Sequence, residues 1–177
     1  MTAGAGPVNA FVVMGVSGSG KTTVAAMLAG RLGGPYRDAD DFHPPANIAK
    51  MSGGQPLTDA DRAPWLAAIA AWIDTQRGRG DHGIVACSAL RRVYRDVLIG
   101  SRPDVGLVFL DGTRDLIHAR MAARRDHFMP AGLLDSQIAT LEPPSPEEDA
   151  LRLSVDAAPE VLVGAVIDRY GPRLPRG

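Results

Sequence analysis

The sequence predicts an α/β fold built on one parallel β-sheet. Two observations carry this reading. Short apolar runs alternate with longer stretches of helical spacing, and the runs are apolar throughout, as strands covered on both faces must be. A third observation sets the scale: 177 residues, 45% hydrophobic and 22% charged, make one domain.

The elements follow in order along the chain. A strand is expected over Ala10 to Gly15 and a helix over Gly20 to Leu32, then a short strand over Tyr36 to Asp38. Asp38 to Asp61 is polar and proline-bearing and reads as an excursion from the core. Trp65, Ile69, Trp72 and Ile73 recur at helical spacing and give Arg62 to Arg77 one buried face. Asp61 is the expected cap of that helix, because Pro64 fits a first turn, where its missing N–H has no partner to lose. Strands at Gly83 to Ser88 and Gly106 to Leu110 lead into helices at Arg91 to Ile99 and Arg114 to Arg125. A second polar excursion, Arg124 to Gly132, precedes a helix at Leu133 to Leu141. The acidic, proline-rich run Glu142 to Asp149 reads as a solvated connector. A last strand, Leu151 to Val155, and a helix, Pro159 to Tyr170, close the fold.

Charge and cysteine content exclude several functional classes. With 20 acidic and 19 basic residues the net charge is −1, so no basic field exists to hold nucleic acid or an anionic membrane, and small-molecule partners are expected. Cys87 is the lone cysteine, which rules out an intrachain disulfide or a cysteine zinc cluster and fits the reducing cytoplasm. No apolar run reaches membrane-spanning length, and the stretch from Ala10 to Met14 is too short for a secretory leader and has no lysine or arginine ahead of it.

Gly15-Val16-Ser17-Gly18-Ser19-Gly20-Lys21-Thr22 follows a strand and opens a helix, which is the context of a nucleotide phosphate-binding loop. Glycines let the backbone wind close to a phosphate, and successive N–H groups and the helix N-terminus meet its charge. Lys21 is placed to reach the β/γ oxygens and Thr22 to set a hydroxyl on Mg²⁺. Thr23 completes the expected phosphate-binding set. Only two lysines, Lys21 and Lys50, stand among seventeen arginines, and a compact ammonium between phosphates is a place where a planar guanidinium does not substitute.

The remaining motifs choose among nucleotide enzymes. No Asn-Lys-x-Asp for guanine appears, and the strand ending at Ser88 lacks the acidic pair of ATPases. Asp111, which ends an apolar run, reads as a loop or cap residue. Asp38-Ala39-Asp40 closes the second strand, where open α/β sheets present ligand groups. Two carboxylates there fit a phosphotransferase: Asp40 as the base for the acceptor hydroxyl, Asp38 as a holder of Mg²⁺ through water. Arg120 and Arg124 share a helical face beside Arg125, and two adjacent cations call for an anion such as ATP under a closing lid. His127 is either a lid or substrate contact or an exposed histidine.

Several blocks together resemble a known family. They are Met14 to Thr22; Asp38-Ala39-Asp40 with His43-Pro44 and Asn47 to Met51; Gly54 to Leu66; Cys87-Ser88-Ala89-Leu90-Arg91 with Tyr94-Arg95-Asp96; and Arg124 to Pro130 with Leu133 to Gln137. The chain is similar to gluconokinases of the small bacterial type, within the shikimate-kinase and nucleoside-monophosphate-kinase group of P-loop kinases. The resemblance implies a three-layer P-loop NTPase fold on a five-stranded parallel sheet, residues 1–177 forming one kinase domain with a substrate-binding excursion at about 38–80 and a lid at about 124–132. It implies Mg²⁺-dependent transfer from ATP to the 6-hydroxyl of D-gluconate, giving 6-phosphogluconate for the pentose phosphate or Entner–Doudoroff routes, in the cytoplasm and, by analogy, in a homodimer. Asp40 matches the family's catalytic aspartate, Arg120 and Arg124 its lid arginines, and Gln137 a polar residue after the lid. A polyhydroxy acid needs cations for its carboxylate and polar groups for its hydroxyls, and the chain offers His43, Lys50, Arg62, Ser88 and Arg91. Two positions depart from the pattern: Ala39 stands where a glycine is expected, and Arg91 where lysine is commoner. Two alternatives stay open, a same-fold kinase of another hydroxy acid such as shikimate and a nucleotide-binding regulatory module without transfer activity.

Overall fold

A computed structural model of the chain describes residues 6–123, 131–171 and 174. Five parallel strands run in the order β2-β3-β1-β4-β5, with β1 at Ala10–Met14, β2 at Tyr36–Asp38, β3 at Gly83–Ala86, β4 at Val105–Asp111 and β5 at Leu151–Ser154. Every residue of β1 is buried, as the central strand of a sheet covered on both faces requires. Alternate side chains then serve two cores. Phe11 and Val13 join Leu28 of α1 (Lys21–Leu32) and Val163 and Val166 of α7 (Pro159–Tyr170). Val12 and Met14 join Trp65, Ile69 and Ile73 of α3 (Asp59–Arg79) and Leu98 of α4 (Arg92–Leu98). The result is the three-layer α/β sandwich that the apolar runs predict, with strand limits shifted by a residue or two. Among the described residues no helix is long and apolar enough to cross a membrane.

The polar excursion after β2 carries regular structure of its own. A 3-10 turn spans Ala39–Phe42, and a short helix, α2 (Pro45–Ser52), starts on a proline whose absent N–H is harmless at that position. The start of α3 differs from the expectation. Thr58 is the cap, its hydroxyl accepting from the Asp61 N–H at 3.1 Å while the Asp61 carboxylate accepts from the Thr58 N–H at 2.8 Å. Asp61 is therefore the third helical residue, and Pro64 lies in the second turn. Pro64 and the Ala60 carbonyl it leaves without an intrahelical donor belong to exposed residues, which makes the proline tolerable there.

The connector before β5 is also unlike its expectation. The Arg95 side chain is 2% exposed, Glu148 9%, and they form a two-point ion pair at 2.6 and 3.1 Å. The remaining Arg95 nitrogen donates to the Ala89 and Leu90 carbonyls, and Glu148 also accepts from the Ser145 N–H. Glu142 takes the Arg92 N–H at 2.6 Å and gives its own N–H to the Leu90 carbonyl. The run holds a 3-10 turn at Pro146–Glu148 and is clamped onto the β3–α4 junction by charge, which its proline content concealed. Asp111 ends β4 and pairs with Arg152 at 2.6 Å.

A buried pair loses most when one partner is removed, since the other charge is left without compensation. Glu148→Ala is expected to lower unfolding free energy by about 3 kcal/mol in urea titration, with a much smaller loss for Glu147→Ala at the neighbouring exposed position.

Candidate active site

Parallel strands bring the loops after β1, β2 and β3 to one edge, where the predicted chemistry converges. The loop after β1 needs its glycines: Gly18 has φ +80°, and a Cβ there would lie 2.5 Å from Met121 Cγ. Met121 and Ile117 of α5 (Arg114–Ala123) thus pack directly on the phosphate loop. Gly15 anchors the loop to the end of β3 through its N–H and the Ser88 carbonyl, 3.4 Å apart. From α6 (Ala131–Thr140) the Gln137 side-chain oxygen accepts the Ser17 N–H at 2.7 Å. Gln137 therefore meets the phosphate loop, not the polar residues of the excursion.

Lys21 donates to the Val16 carbonyl at 3.1 Å, folded back over its own loop. Burial pushes its pKa down, against the pull of the nearby Asp38 and Asp40 carboxylates. Val16 and Ser19 are buried, Gly20 opens α1 from φ +94°, and Thr23 is exposed in the first turn. The Ser19 hydroxyl is buried with no partner among the described residues.

Asp38 joins this loop to the next. One carboxylate oxygen accepts from the Thr22 hydroxyl at 3.3 Å, and the other accepts from the Asp40 N–H at 2.9 Å and so caps the turn that presents Asp40. Thr22 and Asp38 make a hydroxyl-plus-carboxylate donor set of hard oxygens, which fits Mg²⁺, an ion that completes its shell with water and substrate phosphates. The Asp40 side chain is 88% open to solvent. Its carboxyl is nevertheless raised above the usual aspartate value, first by the desolvating walls of the cleft and then by the Asp38 charge. Ala39 is buried in this turn and does not take positive φ, so the position has no need of glycine.

Trp65 sits behind the turn. Its indole N–H donates to the Ala39 carbonyl at 2.7 Å, and its face stacks on His43, with centroids 4.5 Å apart and planes 9° apart. His43 Nε2 lies 3.9 Å from Asp40, and Asn47 bridges His43 Nδ1 to the Asp61 carbonyl of α3. Burial pushes the His43 pKa down, and the Arg62 charge adds to that against the opposing Asp40.

The cations divide into three groups. Lys50 is paired with Asp61 at 2.5 Å, and that hydrogen bond is the first cause holding the Asp61 carboxyl at about 2. Arg62 and Arg91 both lie over the Tyr94 ring, at 5.5 and 5.6 Å, and both pair with Asp59. Arg120 lies half-buried in the last turn of α5, while Arg124 and His127, with most of the expected lid, fall outside the described residues. Ser88 is half-buried where β3 ends. Sequence reasoning gave Asp59 and Tyr94 no role. The i,i+3 spacings Asp59 to Arg62 and Arg91 to Tyr94 are the signal that points to the cluster.

A phosphate loop feeding a helix, two carboxylates at the end of β2, the next strand along the chain, and the polar excursion that follows them define a kinase of the P-loop class. The fold agrees: it matches an APS kinase from Mycobacterium tuberculosis with TM-score 0.65 at 20% identity, over 92% of this chain and 97% of that one. No family model matches the chain. It is 48% identical over 160 residues to a gluconokinase from Gluconobacter oxydans, covering 90% of each. It also superposes on a gluconokinase from Sinorhizobium meliloti with TM-score 0.83 at 41% identity, over 94% of each chain. The chain belongs to the gluconokinase family.

The ring stack and the Arg62 charge yield a check by NMR. His43 is expected to titrate below about 6.5, and Arg62→Gln is expected to move its midpoint upward.

Proposed function

We propose that the chain transfers the γ-phosphoryl group of ATP to the 6-hydroxyl of D-gluconate, forming 6-phospho-D-gluconate and ADP. The observation that supports the reading is that Asp40, in the turn tied to Thr22 of the phosphate loop through Asp38, shares the site with an Arg62–Arg91 pair, drawn from α3 and the residue before α4, that suits the carboxylate of a sugar acid. Family membership supports the choice of acid. Asp40 accepts the proton of the attacking hydroxyl as its oxygen bonds to phosphorus in line with the departing β–γ bridging oxygen. Lys21 and the loop N–H groups meet the charge on the phosphates, and Arg120 and Arg124 add cations from the lid side. Thr22 and Asp38, the latter through water, would hold Mg²⁺, which when bound would neutralise phosphate charge. His43, Lys50, Ser88 and His127 are the polar contacts proposed for the acceptor, and Gln137 is proposed to steady the phosphate loop. The raised pKa of Asp40 suits a base that must release its proton again. The proposed setting is the cytoplasm, with homodimerisation by analogy and no nucleic-acid or membrane partner.

The test is ADP release from Mg²⁺-ATP against D-gluconate, other aldonic acids, shikimate, nucleoside monophosphates and water alone. Gluconate-selective turnover is expected. Turnover confined to another acceptor overturns the substrate assignment, and acceptor-independent or absent turnover overturns the kinase reading itself. Lys21→Ala is expected to abolish transfer in the same assay.

A further inference from the structure

The two arginines that suit a substrate carboxylate already hold a carboxylate of the chain. Asp59 Oδ2 accepts from Arg91 at 3.1 Å, while Oδ1 accepts from Arg62 at 3.4 Å and from the Tyr94 hydroxyl at 2.8 Å. The cations come from different elements, Arg62 from α3 and Arg91 from the residue that precedes α4, and they share the Asp59 carboxylate as well as the Tyr94 ring. Glu142 touches Arg91 from the other side at 3.6 Å and leaves Arg62 to Asp59.

We propose that Asp59 is an internal competitor: it occupies the acid-binding position between Arg62 and Arg91 until the carboxylate of the substrate displaces it, and so weakens the apparent affinity for acids. The inference rests on the reading of this arginine pair as the substrate's carboxylate site. Asp59 is 62% exposed in its side chain, and ion pairs this open to water are weak, so exchange is easy. A bare carboxylate recovers from the pair only what Asp59 gives up. The competitor weakens every acid by the same factor; a polyhydroxy acid has further hydrogen bonds beyond the arginines to offset it, whereas a small anion with only its carboxylate stays weakly bound. Asp59 also repels any second carboxylate that enters while it stays in place. Both effects have one sign: removing its charge must tighten acid binding.

The experiment uses Asp59→Asn, an exposed first-turn change that keeps the side-chain shape, and Tyr94→Phe, which removes a hydroxyl shared by Asp59 and Arg91. KM for D-gluconate is expected to fall about two- to fivefold in Asp59→Asn, the range that a weak surface pair allows, and less in Tyr94→Phe. The change should fall on the acid and not on the KM for ATP. In parallel, acetate is titrated into the ADP-saturated proteins by tryptophan fluorescence, with Asp59→Asn expected to bind it more tightly than the parent. A rise in KM for gluconate, or acetate affinity equal to the parent's, overturns the proposal and makes Asp59 a support for the arginines instead. If the parent shows no gluconate-dependent turnover, it is the substrate reading that fails, and the acetate titration still decides the role of Asp59.

Discussion

The hydrogen bond from the Trp65 indole to the Ala39 carbonyl is the contact on which the geometry of the site depends. β2 is three residues long and only half-buried, too little strand to fix the direction of the chain beyond it. The two carboxylates leave from its end nonetheless, one at the last residue of the strand and one in the turn. The indole, held in the core by α3, fixes the turn from behind with a buried bond, and its face carries His43. The same helix receives Asn47 and Lys50 of α2 at its capped start, so one long helix holds both the turn and the flap in place.

A second pattern runs through the charges. Lys50, Arg62, Arg91 and Arg95 all meet carboxylates of the chain, whereas Asp38 and Asp40 face one another near Lys21 with no ion pair to it among the described contacts. These cations are each paired within the chain, and the unmatched negative charge is concentrated where a divalent cation and a proton in transit would relieve it. With a net charge of −1, the chain has no overall basic field, and a divalent cation at this position would offset the local negative charge as a nucleotide entered.

Much of this was legible in the sequence. Buried parallel strands are uniformly apolar, and the phosphate loop uses residue types dictated by φ and by charge, so both could be read locally. Features that depend on distant partners could not. The start of α3 was misplaced because a first-turn rule for Pro64 outweighed the Thr58 to Asp61 box, which is written in the sequence. The clamp of Glu148 on Arg95 joins residues 53 apart, and prolines there signal only the lack of a long helix. Asp59 has no role legible in the sequence, because Arg91, which it meets, lies 32 residues on in another element.

The central claim is that the turn fixed by Trp65 presents Asp40 as the base. The direct measurement is steady-state kinetics of Asp40→Asn beside equilibrium binding of ATP. The account predicts a fall in kcat on the order of 10² with ATP affinity retained. A variant that turns over at the parent's rate would contradict it and move the base elsewhere.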